Sequence, residues 1–126
     1  MSDALSVLYV EDNESEVELL SLCIERYGLG SHLIFDVAET VEEAKEIFDI
    51  GKHMAALIDW NLPDGEGTDV AQFIREKHGT LPIIFLSAAM TYDHLYKTEK
   101  YKPNACLEKD YSKAFIEKIS QIITPI

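Results

Sequence analysis

The stretch that decides the fold reads Ala55-Ala56-Leu57-Ile58-Asp59-Trp60-Asn61-Leu62-Pro63-Asp64-Gly65-Glu66-Gly67. It begins with small and branched apolar residues, a composition typical of a strand that is buried on both faces of a sheet. The carboxylate of Asp59 follows this run directly, and a loop rich in proline and glycine comes next. Ligands bind at the carboxyl ends of the strands in open parallel sheets. Asp59 is therefore the first candidate for a functional residue.

The rest of the chain predicts four more strands, at residues 6–10, 33–38, 82–86 and 105–108. Five helices alternate with the strands. The first is predicted from an Asn13 cap to about Tyr27, and the second from a Thr40 cap to about Phe48. The third runs from the 63–67 loop to about Lys77, the fourth from about Thr91 to Tyr101, and the fifth begins after a Ser112 cap. We expect Gly28 and Gly30 to end the first helix, and Gly51 the second.

Strands that alternate with helices predict right-handed crossovers and one parallel sheet with helices on both faces. The fold class is therefore α/β, a single doubly wound (βα)5 domain over residues 1–126. The five-stranded sheet has the flavodoxin-like order 2-1-3-4-5, and its switch point lies between the first and third strands.

Composition limits the partners that this chain can have. Its 126 residues carry a formal net charge of −12, which argues against nucleic acid and anionic membranes as partners. No apolar run approaches the ~18 residues that a membrane span needs. The amino terminus lacks the basic region of a signal peptide, and Cys23 and Cys106 have no metal-ligand spacing. We expect two buried free thiols and a cytoplasmic location.

Polar side chains follow four of the predicted strands at the point where each strand ends. Glu11 and Asp12 follow the first strand, Asp59 the third, Ser87 the fourth and Lys109 the fifth. In the order 2-1-3-4-5 the first, third and fourth strands are neighbours. The sequence thus predicts three carboxylates close together, beside a hydroxyl and an ammonium group.

Such a cluster favours phosphoryl chemistry with a magnesium ion. Like charges repel and raise the proton affinity of a carboxylate unless a cation neutralises them, and Mg²⁺ prefers hard oxygen ligands. One carboxylate could then attack phosphorus and form an acyl phosphate, with Lys109 and Ser87 holding the transferred group. The loop at 11–14 lacks the Gly, Ser and Thr of a phosphate cradle, so FMN, dinucleotides and nucleoside triphosphates are disfavoured as ligands.

The chain resembles the receiver domain of two-component response regulators over essentially its whole length. The matching pieces are residues 8–13, residues 58–65, residues 84–88 and Lys109. The resemblance implies that Asp59 is the phosphoacceptor. It also implies that Glu11, Asp12, Asp59 and the backbone carbonyl of Asn61 hold Mg²⁺. Ser87 would be the switching hydroxyl, and Lys109 would bind the phosphoryl group.

The resemblance implies a function in a phosphorelay. The partner would be a sensor histidine kinase or a histidine phosphotransfer protein, whose phosphohistidine supplies the group, and the modified surface would bind a downstream protein. The domain would phosphorylate and dephosphorylate itself, and it would not be a dedicated enzyme. Two alternatives stay open: a pseudo-receiver that binds a partner constitutively, and a Mg²⁺-dependent phosphatase. Against the phosphatase, this chain has no Asp two residues after Asp59 and no segment large enough to cap a substrate.

The chain departs from the receiver pattern near its last strand. Asp110 follows the lysine where receivers usually have proline, and we expect the preceding bond to be trans because a cis bond there costs ~3 kcal/mol. Cys106 stands where receivers commonly have Tyr or Phe, and Lys102-Pro103 replaces a Gly-Ala pair. We therefore expect the response to lie in the loop at 87–91 and the helix after it.

Two residues should border the path of water to a phosphoryl group on Asp59. By the resemblance these are Asn61, two residues after the nucleophile, and Ala89, two residues after the switching hydroxyl. The methyl group of Ala89 is too small to shield phosphorus, and the charge of Asp110 opposes the hold of the neighbouring lysine. We therefore predict a short-lived phosphoryl group.

Overall fold

The computed structural model describes residues 5–27 and 33–123. Its main sheet has five parallel strands, which are β1 (Leu5–Val10), β2 (Leu33–Ala38), β3 (His53–Asp59), β4 (Ile83–Ser87) and β5 (Ala105–Glu108). Their order across the sheet is β2-β1-β3-β4-β5, and every neighbouring pair is parallel. The predicted fold class and strand order are confirmed.

The five helices are α1 (Glu14–Arg26), α2 (Val41–Ile47), α3 (Gly67–Lys77), α4 (Tyr92–Thr98) and α5 (Lys113–Ile123). Three of them begin at the predicted caps. The Asn13 side chain accepts backbone hydrogen bonds from Ser15 and Glu16, and Thr40 accepts one from Glu43. The Ser112 hydroxyl accepts a hydrogen bond from the Phe115 backbone N–H group. These caps satisfy backbone donors that a helix leaves unpaired at its start.

The end of α4 and the role of Gly51 differ from the prediction. α4 stops at Thr98 and is followed by a 3-10 turn, Glu99–Tyr101, which ends at Lys102 in a left-handed conformation with φ 51°. α2 ends at Ile47, and Gly51 lies in the turn that leads into β3 instead of at the helix end. Gly28 and Gly30 lie outside the described residues. None of the helices in the described part of the chain combines the length and apolarity that crossing a membrane requires.

The core lies in two layers, one on each face of the sheet. Leu8 and Val10 of β1 point to the layer formed with α2 and α3. Val7 and Tyr9 alternate with them and point to the layer formed with α1 and α5. Since successive side chains of a strand point to opposite faces, this alternation buries β1 on both sides. Among the described residues, β1 is therefore open to a ligand at its ends and not at its faces.

The loop after β3 is held close to the end of that strand. Asn61–Leu62 and Gly65–Glu66 form a short antiparallel ribbon, and the Gly67 N–H donates to the Trp60 carbonyl at 2.8 Å. A Cβ atom on Gly67 would lie 2.6 Å from the backbone oxygen of Asp59, so any side chain there would displace the strand end. This close approach fixes the backbone that carries Asp59.

Candidate phosphoryl-transfer site

The acidic cluster, which we define as Glu11, Asp12 and Asp59, lies at the carboxyl ends of β1 and β3. One carboxylate oxygen from each residue lies within 4.8 Å of the others. Glu11 and Asp59 are buried, whereas Asp12 is exposed. The Glu11 N–H donates to the Ala38 carbonyl at 2.9 Å, which extends the pairing of β1 with β2 up to this residue. The structure thus brings together the three predicted carboxylates.

The Lys109 ammonium group lies inside this acidic site. Its Nζ atom is 2.8 Å from Asp59 Oδ1 and 2.9 Å from Glu11 Oε1. The Lys109 side chain is only 6% exposed, and its backbone N–H donates to the Ser87 carbonyl at 2.9 Å. The lysine is therefore positioned by the end of β4, and its charge faces the candidate nucleophile.

The charges of the site are not balanced by this single cation. Burial raises the pKa of Glu11 to about 7, against the hydrogen bond from Lys109, and the Asp59 charge adds to the rise. Burial also raises the pKa of Asp59. Burial opposes the charged form of Lys109, but hydrogen bonds to Asp59 and Glu11 outweigh it and raise the lysine pKa. The ammonium group stays charged, and an excess of negative charge remains on the carboxylates.

The Ser87 hydroxyl is buried and points into the loop that follows β4. Its Oγ atom donates to the Ala89 carbonyl at 3.0 Å. The same loop is held from β5, because the Met90 N–H donates to Glu108 Oε1 at 2.9 Å. Ser87 therefore lies at the predicted strand end, and its hydrogen bond serves the loop in this structure.

The remaining predicted positions are placed as follows. Asn61 is exposed and begins the short ribbon two residues after Asp59, and the role of its carbonyl as a metal ligand stays a prediction. Ala89 is exposed on the loop after β4. The peptide bond between Lys109 and Asp110 is trans, as expected. Cys23 and Cys106 are free thiols as expected, but both are half-buried and not fully buried.

The sequence profile of the response regulator receiver domain matches residues 7–121 of this chain. The chain belongs to the response regulator receiver domain family. A receiver domain is a module of two-component signalling, and it is not an enzyme that acts on small substrates.

Two curated proteins are similar in sequence to this receiver domain. It is 31% identical to the response regulator protein PilR of Pseudomonas aeruginosa over 68% of this chain and 18% of PilR. It is 30% identical to the photosynthetic apparatus regulatory protein RegA of Cereibacter sphaeroides over 65% of this chain and 42% of RegA. The chain thus spans less than half the length of these relatives.

Two solved structures share the fold. The non-phosphorylated HemR receiver domain from Leptospira biflexa has a TM-score of 0.83 and 25% identity, over 97% of this chain and 96% of that one. The receiver domain of the sensor histidine kinase PA1611 from Pseudomonas aeruginosa has a TM-score of 0.78 and 21% identity, over 96% and 98% of the two chains. That second structure has a magnesium ion coordinated in its active site cleft.

Two side chains of this receiver domain enter the site although the sequence did not single them out. Glu16, in the first turn of α1, accepts a hydrogen bond from Lys109 Nζ at 3.1 Å and another from the Tyr111 hydroxyl at 3.0 Å. Acidic residues are common in the first turn of a helix because they interact favourably with the helix dipole, so Glu16 did not stand out in the sequence. The one sequence feature that could have pointed to Glu16 is that its turn directly follows the acidic pair Glu11 and Asp12.

An aromatic contact links the end of β3 to α4. Trp60, the residue after Asp59, is buried, and its ring lies 4.3 Å from the ring of His94. His94 also belongs to the cap of α4, where its backbone N–H donates to the Thr91 hydroxyl. Cys106 lies 3.4 Å from the Thr98 hydroxyl at the other end of that helix. α4 is thus connected to the site through Trp60, without a ring at position 106.

Proposed function

We propose that this receiver domain accepts a phosphoryl group onto Asp59 from the phosphohistidine of a sensor histidine kinase or a histidine phosphotransfer protein. Modification would then change the binding of a downstream protein partner. The observation that carries the proposal is the ion pair between Lys109 Nζ and Asp59 Oδ1, which lie 2.8 Å apart inside the acidic cluster. A carboxylate that faces a buried ammonium group has a cation ready for the charge that a phosphoryl group brings.

The donor set fits a magnesium ion. Glu11, Asp12, Asp59 and the Asn61 carbonyl would offer hard oxygen ligands, and the cluster carries more negative charge than Lys109 neutralises. The magnesium ion in the related fold of the PA1611 receiver domain supports this assignment. Bound Mg²⁺ would neutralise the charge on the oxygens of the transferring group.

The residues of the chain supply the rest of the chemistry. An Asp59 carboxylate oxygen attacks phosphorus, the bond from phosphorus to the histidine nitrogen breaks, and its electron pair stays on the imidazole. The N–H donors of Lys109 and the hydroxyl of Ser87 would bind oxygens of the transferred group. Water later attacks phosphorus and releases inorganic phosphate, which restores the Asp59 carboxylate.

The output should pass through the loop after β4. If the Ser87 hydroxyl turns from the Ala89 carbonyl to the phosphoryl group, the loop loses one of the hydrogen bonds that hold it. α4 follows this loop and exposes Tyr92, Leu95 and Tyr96, which offer apolar surface to a partner. We place this exchange in the cytosol, where thiols such as Cys23 and Cys106 stay reduced.

The proposal is tested by treating the protein with a small acyl phosphate and Mg²⁺ and measuring its intact mass. The parent protein should gain the mass of one phosphoryl group, and Asp59→Asn should gain none. Asp93→Asn is the matched control, because Asp93 is an exposed aspartate of α4. Equal labelling of Asp59→Asn and the parent would remove Asp59 from its role. A parent protein that is not labelled would instead favour the constitutive binding of a pseudo-receiver.

A further inference from the structure

The Lys109 ammonium group has three N–H donors, and three carboxylates surround it. Asp59 Oδ1 lies at 2.8 Å, Glu11 Oε1 at 2.9 Å and Glu16 Oε1 at 3.1 Å from Nζ. Carboxylate oxygens therefore already surround the ammonium group in the unmodified protein, and those of Glu11 and Glu16 accept hydrogen bonds from it. A phosphoryl oxygen on Asp59 must therefore compete with the carboxylates of Glu11 and Glu16 for the N–H donors of Lys109.

Glu16 is held toward the lysine by a second donor. The Tyr111 hydroxyl donates to the same Oε1 atom at 3.0 Å. Tyr111 adopts a left-handed backbone conformation with φ 52°, which is unfavourable for a residue with a side chain. Its ring packs at 5.4 Å against Phe115 of α5. The packing and the hydrogen bond together keep the hydroxyl directed at Glu16.

Glu16 differs from the other two carboxylates in its role once Asp59 carries a phosphoryl group. Glu11 belongs to the acidic cluster, and Asp59 is the proposed phosphoacceptor. Glu16 lies outside that cluster and its side chain is 31% exposed, so it is neither the phosphoacceptor nor a proposed metal ligand. It then competes with the phosphoryl oxygens for Lys109.

We propose that Glu16, oriented by the Tyr111 hydroxyl, is a positioning residue that holds the Lys109 ammonium group and thereby weakens the retention of the phosphoryl group. The inference rests on the proposed function, and it adds two residues that set the lifetime of the modified state. Glu16 acts through Lys109 by occupying one of its donors, and through its charge near the phosphoryl oxygens.

The decisive variant is Glu16→Gln, which removes the charge and keeps the size of the side chain. After labelling with the acyl phosphate and Mg²⁺, its phosphoryl half-life should exceed that of the parent protein by about tenfold, the scale of one hydrogen bond to a charged group. Glu18→Gln is the matched control, because Glu18 is exposed on the same helix and loses the same charge. Its half-life should equal that of the parent.

A second variant separates positioning from a merely structural ion pair. Tyr111→Phe should lengthen the half-life in the same direction but by less, because Glu16 keeps its charge and loses its orienting donor. The double variant Glu16→Gln/Tyr111→Phe should then decay no more slowly than Glu16→Gln alone, since Tyr111 acts through Glu16. A structural ion pair would lower the melting temperature and leave the decay rate unchanged.

The outcomes are distinguishable from a failure of the proposed function. If the parent is labelled at Asp59 and Glu16→Gln decays at the rate of Glu18→Gln, or faster, the inference is overturned and the proposed function stands. If the parent is not labelled at all, both fail. Should Glu16→Gln not fold, Tyr111→Phe decides alone: a half-life equal to that of the parent overturns the inference.

Discussion

At the scale of single residues, several polar groups of this domain bind partners from other strands or helices. Asp36 of β2 shows this outside the candidate site. Its Oδ2 atom lies 2.7 Å from His53 Nε2 and 3.0 Å from Lys52 Nζ. The Asp49 N–H donates to His53 Nδ1 at 3.1 Å, so a neutral ring must carry its proton on Nε2 and donate it to Asp36.

This arrangement predicts how stability depends on pH. The hydrogen bond from His53, assisted by Lys52, lowers the pKa of Asp36 below its usual value. A lowered pKa gives stability that is present above the unfolded pKa of about 4 and is lost as the pH falls through the folded pKa. We expect Asp36→Asn to lower the free energy of unfolding by about 1 kcal/mol at pH 7, and by less below about pH 4. Urea unfolding across this range measures the difference.

The matched control is Asp93→Asn, because Asp93 forms an exposed pair with Lys97 on α4. Exposed pairs contribute little to stability, so this variant should stay close to the parent protein at every pH. A difference between Asp36→Asn and the parent that is constant from pH 7 to pH 3 would contradict the role given to the Asp36 carboxylate.

At the scale of elements, we propose that the loop between β4 and α4 is the part of the domain that changes on phosphorylation. Two hydrogen bonds hold the loop, from Ser87 Oγ to the Ala89 carbonyl and from the Met90 N–H to Glu108 Oε1. The second bond joins the loop to the end of β5. We therefore expect beryllofluoride, which mimics a phosphoryl group, to increase amide exchange in residues 87–101.

The variant Glu108→Ala tests the loop without the mimic. It removes the acceptor of the Met90 N–H, so exchange of this amide should rise about fivefold, the effect of losing a bond of about 1 kcal/mol. Glu25→Ala, an exposed change on α1, should leave the exchange of the Met90 amide unaffected.

The beryllofluoride experiment has its own contradicting outcome. A change in amide exchange that is confined to residues 103–112, with none in residues 87–101, would refute this location of the switch.

The elements also show how far sequence reasoning reaches. The caps at Asn13, Thr40 and Ser112 were predicted correctly because each depends on residues within one helical turn. The acidic cluster was predicted because the order of the strands alone determines which strand ends meet. The hydrogen bond between Glu16 and Tyr111 joins residues 95 apart in sequence, and it depends on side-chain orientation that no local pattern encodes.

The early end of α4 was missed for a different physical reason. The sequence continues with residues that a helix tolerates, but the chain tightens into a 3-10 turn and reverses at Lys102 in a left-handed conformation. Arg75 of α3 binds this reversal, because its Nε atom donates to the Tyr101 carbonyl at 2.7 Å. Tertiary contacts therefore decide where this helix ends.

At the scale of the whole molecule, 23 acidic residues face 11 lysines and arginines. The candidate site concentrates this excess, since its carboxylates outnumber the single ammonium group of Lys109. A divalent cation that binds only the folded state should therefore stabilise the domain.

At a Mg²⁺ concentration of about ten times the dissociation constant, the free energy of unfolding should rise by about 1.4 kcal/mol. The melting temperature should rise by about 5 °C. Asp12→Ala should lose this gain, because it removes a proposed ligand, whereas Glu14→Ala at the exposed start of α1 should keep it. Calorimetry at several Mg²⁺ concentrations measures the shift. A parent melting temperature that does not respond to Mg²⁺ would contradict the metal assignment.

Phosphorylation of Asp59 is tested most directly by identifying the residue that carries the phosphoryl group. The protein is labelled with the acyl phosphate and Mg²⁺ and reduced with borohydride, which converts an aspartyl phosphate into homoserine. Peptide mass spectrometry then locates the changed residue. We predict homoserine at position 59 and no conversion of Glu11 or Asp12, the two other members of the acidic cluster. Conversion at Asp12, or phosphoryl label with an unchanged Asp59, would contradict the assignment of Asp59 as the phosphoacceptor.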